Sequence, residues 1–362
     1  MKVGIITKIG KNYGALLQAY ALRKTCEKNG AEAHIIKYTP KISRDSYKVC
    51  KYKWRLRGTI VNIQSLLHYA ENKKSSERFL KFREDEFNFL GNYNSYEEME
   101  ILPPICDIYI SGSDQVWNPE ISFDKAFYFS CISKENKKLT SYAASIGIKS
   151  LPNELKNEFK KRISRFDYIS VREKQAQKIL EELGIDSDVS PDPTLLLEKE
   201  EWNVMACETI KTPYILCYFV SYPKGIEKVI EEVQKKYGKK YSVVNLMTSE
   251  DSSKIGDIKI RDAGPREFLG LFKNASYVIT SSFHGTVFSI INRKPFVTTL
   301  YKSTSSRVVE LLNNLSLENR IISPDKYDIH TLFEEKIYDS EFERGILRLK
   351  QIGKNTIKKI LE

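Results

Sequence analysis

Four short stretches place polar or titratable side chains directly after apolar runs, and one of them carries His284, one of only four histidines in the chain. In TSSFHGTVFSIIN (280–292) the run YVIT gives way to Ser281 and Ser282, and apolar residues resume after Gly285. If YVIT is a strand and GTVFSIIN a helix, the two serines sit where an N-cap is wanted and His284 falls in the first helical turn. Backbone N–H groups at such a turn favour an anion by about 0.3–1 kcal/mol at exposed sites, and Gly285 would let a ligand approach the backbone. An imidazole placed there can bind an anion and lend it a proton. It can equally be a satisfied structural histidine.

The second stretch, SGSDQVW (111–117), puts Ser113, Asp114 and Gln115 after a strand, with Trp117 as a face on which a sugar could stack. Asp114 in that position can take a hydroxyl proton as a general base, or simply form a turn. In the third, YISVREK (168–174), Arg172 offers a planar fork that grips a carboxylate or phosphate; a salt bridge to Glu173 or Asp167 is the plainer use. The fourth, GKNYGALLQ (10–18), sets Asn12 and Gly14 before a helix as an anion cradle or a structural loop, and it lacks any nucleotide-binding glycine fingerprint.

These residues need strands and helices to hold them. KVGIIT, then apolar residues at helical spacing from Ala15 to Leu22, then AHIIKY read as strand, helix, strand, the opening of a parallel α/β sheet. A polar stretch over about 58–100 reads as a helical insertion. Alternation returns with DIYI, KLTSYAASIG and DYISVRE as strands and 153–166 and 174–184 as helices. Ligands in such sheets bind beyond the carboxyl ends of the strands, where all four stretches lie. Pro191 and Pro193 suit a crossing between domains, and a second strand and helix series follows from PYILCYFV to PFVTTL. The expected organisation is a Rossmann-like domain over 1–200, another facing it over 201–328, and a helical segment over 329–362 packing back on the first.

Composition bounds the answer. A chain of 362 residues, 41% hydrophobic and 29% charged, has room for two cores and is neither fibrous nor disordered. Scattered cysteines without histidine at ligand spacing give no metal site or disulfide framework, and no apolar run suits a signal peptide or membrane span, so a cytoplasmic protein is expected. The net charge of +11 is concentrated in residues 41–57, with seven Lys or Arg against one Asp, interleaved with Tyr47, Tyr52 and Trp54. That pattern suits a solvated face, an anionic membrane surface or lipid-linked substrate, or, least of all, a nucleic acid. No nucleic-acid partner is expected.

Taken in order, NYGALLQAYAL (12–22), SGSDQVWNP (111–119), SYAASIG (141–147), SVRE (170–173), PDPTLLL (191–197) and SSFHGTVFSIINRKPFV (281–297) resemble the polysaccharide pyruvyl transferase family. The resemblance implies a fold similar to glycosyltransferase type B, and transfer of a pyruvyl group from phosphoenolpyruvate to a sugar hydroxyl pair as a cyclic ketal in surface polysaccharide or capsule synthesis. It implies an essential histidine at His284, an acidic acceptor-side residue at Asp114 and a donor-holding arginine at Arg172, with no metal or nucleotide. Family members often carry Arg-Leu-His-Gly where this chain has Ser282-Phe283-His284-Gly285; Arg307 is the candidate to supply the missing positive charge. Two alternatives stand beside this reading: a glycosyltransferase using a nucleotide sugar, with Glu310 or Glu318 on the ribose, and a binding protein that has lost the reaction. The expected location is the cytoplasm, at the inner face of the membrane if the acceptor is lipid-linked.

Overall fold

The computed structural model describes residues 1–48, 66–248, 255–300, 305–334 and 336–362. The chain divides into two units assembled from separated segments. Met1–Lys48, Arg83–Leu197 and Arg348–Glu362 form the first; Glu198–Leu347 and the described residues of Val49–Phe82 form the second.

In the first unit, β1 (Lys2–Ile6), β2 (Glu32–Tyr38), β3 (Phe89–Tyr93), β4 (Ile108–Ser111) and β5 (Lys138–Ser141) form one parallel sheet in the order β3-β2-β1-β4-β5. β1 and β4 are apolar with almost every residue buried, as strands covered on both faces must be. Isolated bridges from Thr140 to Tyr168 and from Ala144 to Val171 carry the sheet on toward β6 (Ser170–Val171), which pairs with β7 (Asp188–Val189). Trp117, Tyr128, Phe129, Phe159 and Phe166 pack one side of this core.

The second unit orders β8 (Tyr214–Tyr218), β9 (Ser242–Leu246), β10 (Ile258–Ile260), β11 (Tyr277–Thr280), β12 (Phe296–Thr299) and β13 (Ile321–Ile322) as β10-β9-β8-β11-β12-β13, all parallel. The chain therefore winds outward one way from β8 and the other way from β11, as in a doubly wound nucleotide-binding sheet. The first unit repeats the arrangement about β1 and β4.

Differences from the sequence reading concern the 58–100 stretch. Its helix, Tyr69–Glu86, is followed by β3, an edge strand, where FNFL reads as continued helix. The alternating Phe87, Phe89 and pairing with β2 override the helical spacing there, and Phe87 is buried with its ring edge-on to Phe89. The helix up to Phe82 is stitched to the second unit, not the first: Ser75 Oγ donates to the Ala263 carbonyl (2.9 Å), and Arg78 pairs with Asp262 (3.1 Å) and Glu267 (3.2 Å). The final helix, Ser340–Leu361, begins in the second unit and ends in the first, where Thr356 hydrogen-bonds Ser190 (2.8 Å) and Gly353 leaves room for Leu196 and Tyr142. Of the basic stretch, Lys41–Asp45 is a short helix, and everything from Val49 onward to residue 57 lies outside the described residues. No described helix is long and apolar enough to cross a membrane.

Candidate active site

Adjacent parallel strands whose connections leave toward opposite sides open a crevice at their carboxyl ends. In the second unit that point lies between β8 and β11, and the residues leaving β11 are Ser281 and Ser282. Ser281 Oγ donates to the Ser221 carbonyl (2.8 Å), tying the two strand exits together. Ser282 is the N-cap of the helix Phe283–Ile291; its Oγ accepts the Gly285 N–H (3.2 Å), and its own N–H reaches Thr280 Oγ1 (3.1 Å). Of the nine helical residues seven are buried, so the helix is enclosed nearly all round, with the Thr286 and Ser289 hydroxyls satisfied inside. His284 is the half-buried polar side chain of its first turn, edge-on to Phe283 with centroids 5.2 Å apart.

Gly285 has a packing reason of its own. A Cβ there would run into Thr280 Oγ1 and stand 3.0 Å from Tyr218 Cδ1. The glycine lets the helix close onto β8 and β11. Beneath it the Tyr218 phenol is pushed up to about 12 by burial, against a downward pull from the Ser282 hydroxyl, so it stays neutral. Arg307, buried on the helix Ser305–Asn314, lays its guanidinium 5.6 Å from the Phe283 ring centroid. The arginine singled out in place of the absent one is thus brought beside the histidine's own neighbour.

The matching point of the first unit lies between β1 and β4. Asn12 caps the helix Tyr13–Lys28, its Oδ1 taking the Ala15 N–H (3.0 Å), while Gly14 is buried inside the first turn. After β4 the chain passes through Ser113 to Asp114, whose φ of +84° lies in the left-handed region that non-glycine residues seldom adopt. That conformation is held from several directions. The Asp114 carbonyl accepts the N–H groups of Val116 (2.8 Å) and Ser145 (2.9 Å), and its Oδ1 accepts that of Gln115 (2.8 Å). Gln115 in turn takes Asn118 Nδ2 (2.9 Å), and both side chains fill the space that Gly147 leaves open.

Arg172 comes to this loop from beneath. Its guanidinium bonds to Ser113 Oγ and lies 3.1 Å from Asp192, with the two side chains 3% and 0% exposed. Asp192 is fixed by Thr194, whose N–H (3.0 Å) and hydroxyl (2.6 Å) both reach its other oxygen. The ion-pair partner is therefore Asp192, not Glu173 or Asp167. Glu173 Oε1 accepts Ser145 Oγ (2.9 Å) and the Ile146 and Gly147 N–H groups, and Asp167 takes Lys134 (2.7 Å). On the other side Gln18 donates to Thr7 Oγ1 (2.9 Å), which donates to the Ser113 carbonyl (2.7 Å). Trp117 offers no sugar-stacking face: it is wholly buried, its indole N–H on the Phe127 carbonyl (3.3 Å).

Sequence reasoning passes over Asp192, Thr7 and Gln18, and it pairs Glu173 with Arg172 where the structure sets it against residues 145–147. Only Asp192 has a local signal, its place between two prolines, because the partners that define the others come from distant strands. The structure brings Ser113, Asp114, Gln115 and Arg172 together in one unit, and Ser281, Ser282, His284, Gly285 and Arg307 together in the other.

Two units, each built on an all-parallel sheet that winds both ways from a central strand pair, have the α/β fold of the glycosyltransferase type B class. A UDP-GlcNAc 2-epimerase from Methanocaldococcus jannaschii is similar in structure at 14% identity and TM-score 0.53, covering 100% of this chain and 99% of that one. One from Neisseria meningitidis bound to UDP-GlcNAc is similar at 12% identity and TM-score 0.50, covering 100% and 98%. At these identities the likeness is one of fold. No curated protein sequence matches the chain. The polysaccharide pyruvyl transferase model matches residues 12–303, and the chain belongs to that family.

Proposed function

We propose that this protein transfers the pyruvyl group of phosphoenolpyruvate to a pair of hydroxyls on a saccharide acceptor, as a cyclic ketal, in surface polysaccharide synthesis. The observation that carries the reading is the placement of His284 in the first turn of a helix at the switch point of the second unit, with Arg307 stacked on Phe283. A trianionic donor needs positive charge and helix N–H groups together, and Arg307 and the first turn of the His284 helix supply them side by side.

A proton added to the methylene carbon leaves C2 as an oxocarbenium centre; an acceptor hydroxyl adds to C2 and loses its proton to a base. The C2–O bond to phosphorus then breaks, phosphate departs with a proton, and the second hydroxyl adds to C2 and loses its proton to close the ketal. His284 is assigned the acid or the phosphate clamp, and Asp114 the base on the acceptor. Arg172, paired and buried, sets the position of Ser113 and hence of the Asp114 backbone. This replaces the direct donor grip that the family resemblance implies for it.

Phosphate release from phosphoenolpyruvate, measured against galactose-, mannose- and N-acetylhexosamine-containing acceptors, tests the reading. At least one acceptor should stimulate release, and His284→Ala should lower the rate by about 10²-fold or more. Thermal stabilisation by UDP-sugars but not by phosphoenolpyruvate would overturn the donor assignment.

A further inference from the structure

A concave site lies at the other end of the second unit's sheet from His284. A cavity of about 700 Å³ is lined by residues just before β9 and just before β12, together with residues 332–334 and 336–339. His284 follows the carboxyl end of β11, so the cavity opens at the amino ends of the strands and shares no residue with the candidate active site. Its volume falls in the range of small-molecule sites, about 300–1,000 Å³.

The lining combines three kinds of group. Tyr237, Tyr241, Phe333 and Tyr338 supply ring surface, with Tyr237 and Tyr241 edge to face at 5.1 Å. Lys236, Arg293 and Lys336 are donors only, and Glu334 and Asp339 are acceptors only. Several of these are fixed before any ligand arrives. Lys236 sits 5.7 Å from the Phe333 ring centroid, Arg293 pairs with Glu343 (2.9 Å), and the half-exposed Glu334 carboxylate is held by the buried Arg320 and by Asn319 Nδ2 (2.8 Å).

This mixture selects among ligand chemistries. A phosphate would meet two carboxylates, and the nearby helix N-terminus is already occupied, because Asp339 Oδ1 takes the N–H groups of Glu341 and Phe342 (both 2.9 Å). A purely apolar ligand would strip water from the exposed Lys336 and Glu334 side chains and offer no hydrogen bond in return. Hydroxyl groups both donate and accept, so one hydroxylated ring can satisfy ammonium and carboxylate groups together while its C–H face lies on a tyrosine. We infer that this cavity is a second saccharide-binding site, which holds sugar units away from the reacting end. The inference does not depend on the identity of the donor.

Calorimetric titration of the full chain with galacto-, manno- and N-acetylglucosamine-type hexasaccharides tests it, with UDP and inorganic phosphate as anion probes. At least one hexasaccharide should bind, and Tyr241→Ala and Lys336→Ala should each weaken that binding event by about tenfold or abolish it. His284→Ala should leave it unchanged, and the cavity variants should retain wild-type release of phosphate from phosphoenolpyruvate with a monosaccharide acceptor. Melting temperatures close to wild type establish that the variants fold. Failure of every hexasaccharide to bind wild-type protein overturns the inference, as does binding that survives both cavity variants. Competition by UDP or phosphate at this event would make it an anion site and overturn it equally.

Discussion

Gly285 separates packing from chemistry at the scale of a single residue. Because the position faces Thr280 and Tyr218, Gly285→Ala should destabilise the protein by about 1–3 kcal/mol through overpacking, read as a lower urea midpoint. An unchanged midpoint would mean that the helix can move off β11 freely. The Arg172 and Asp192 pair makes a sharper case, since neither side chain has water to fall back on. Either Arg172→Met or Asp192→Leu alone should cost about 3–5 kcal/mol by stranding the other charge, whereas the double variant should cost much less than their sum. Simple additivity would show that the pair is not coupled. If Arg172 only positions Ser113 and Asp114, a folded double variant should lose turnover while keeping the wild-type thermal shift with phosphoenolpyruvate. Loss of that shift would restore a direct donor contact to Arg172.

At the scale of elements, the end of the helix Ser340–Leu361 is fastened to β5 and β7 by charge as well as by packing. Lys359 donates to Asp188 (2.8 Å), and Lys138 Nζ donates to the Lys359 carbonyl (2.8 Å). The Lys359 ammonium first, and the Tyr168 hydroxyl second, hold the Asp188 carboxyl below its ordinary value. A depressed folded value adds stability above the unfolded carboxylate range, near pH 4, and loses it as pH falls through the folded value. The stability difference between wild type and Lys359→Ala should therefore be present at neutral pH and shrink in acid. It should be small throughout, because both side chains are about half exposed. A difference that grows in acid would be inconsistent with the pair. The edge strand β3 belongs to this scale too: its alternating aromatics were visible in the sequence, but only the free edge of β2 makes them a strand.

Neither unit of the whole molecule is one contiguous stretch of chain. Residues 1–197 contain every strand of the first sheet, yet Leu196, Tyr142 and Ser190 are covered or bonded by residues 353–356. A fragment ending at Leu197 should therefore melt at lower temperature or aggregate, and should be rescued when residues 348–362 are supplied. A fragment as stable as the intact chain would show that the final helix is dispensable to that core.

The alternation of strands and helices outside the 58–100 stretch, the break at TSSFHG and the ordered family motifs are written in the sequence. They rest on spacing along the chain, which buried parallel strands and amphipathic helices impose directly. His284 and Asp114 were legible for the same reason, standing where apolar runs end. Which residues hold the Asp114 loop was decided only by tertiary structure, because Asp192, Thr7, Gln18 and Glu173 reach their partners across strands distant in sequence. The same is true of Trp117, a surface candidate by its loop and a core residue by its neighbours. Burial and pairing depend on what the fold sets opposite a side chain, and no local spacing encodes that.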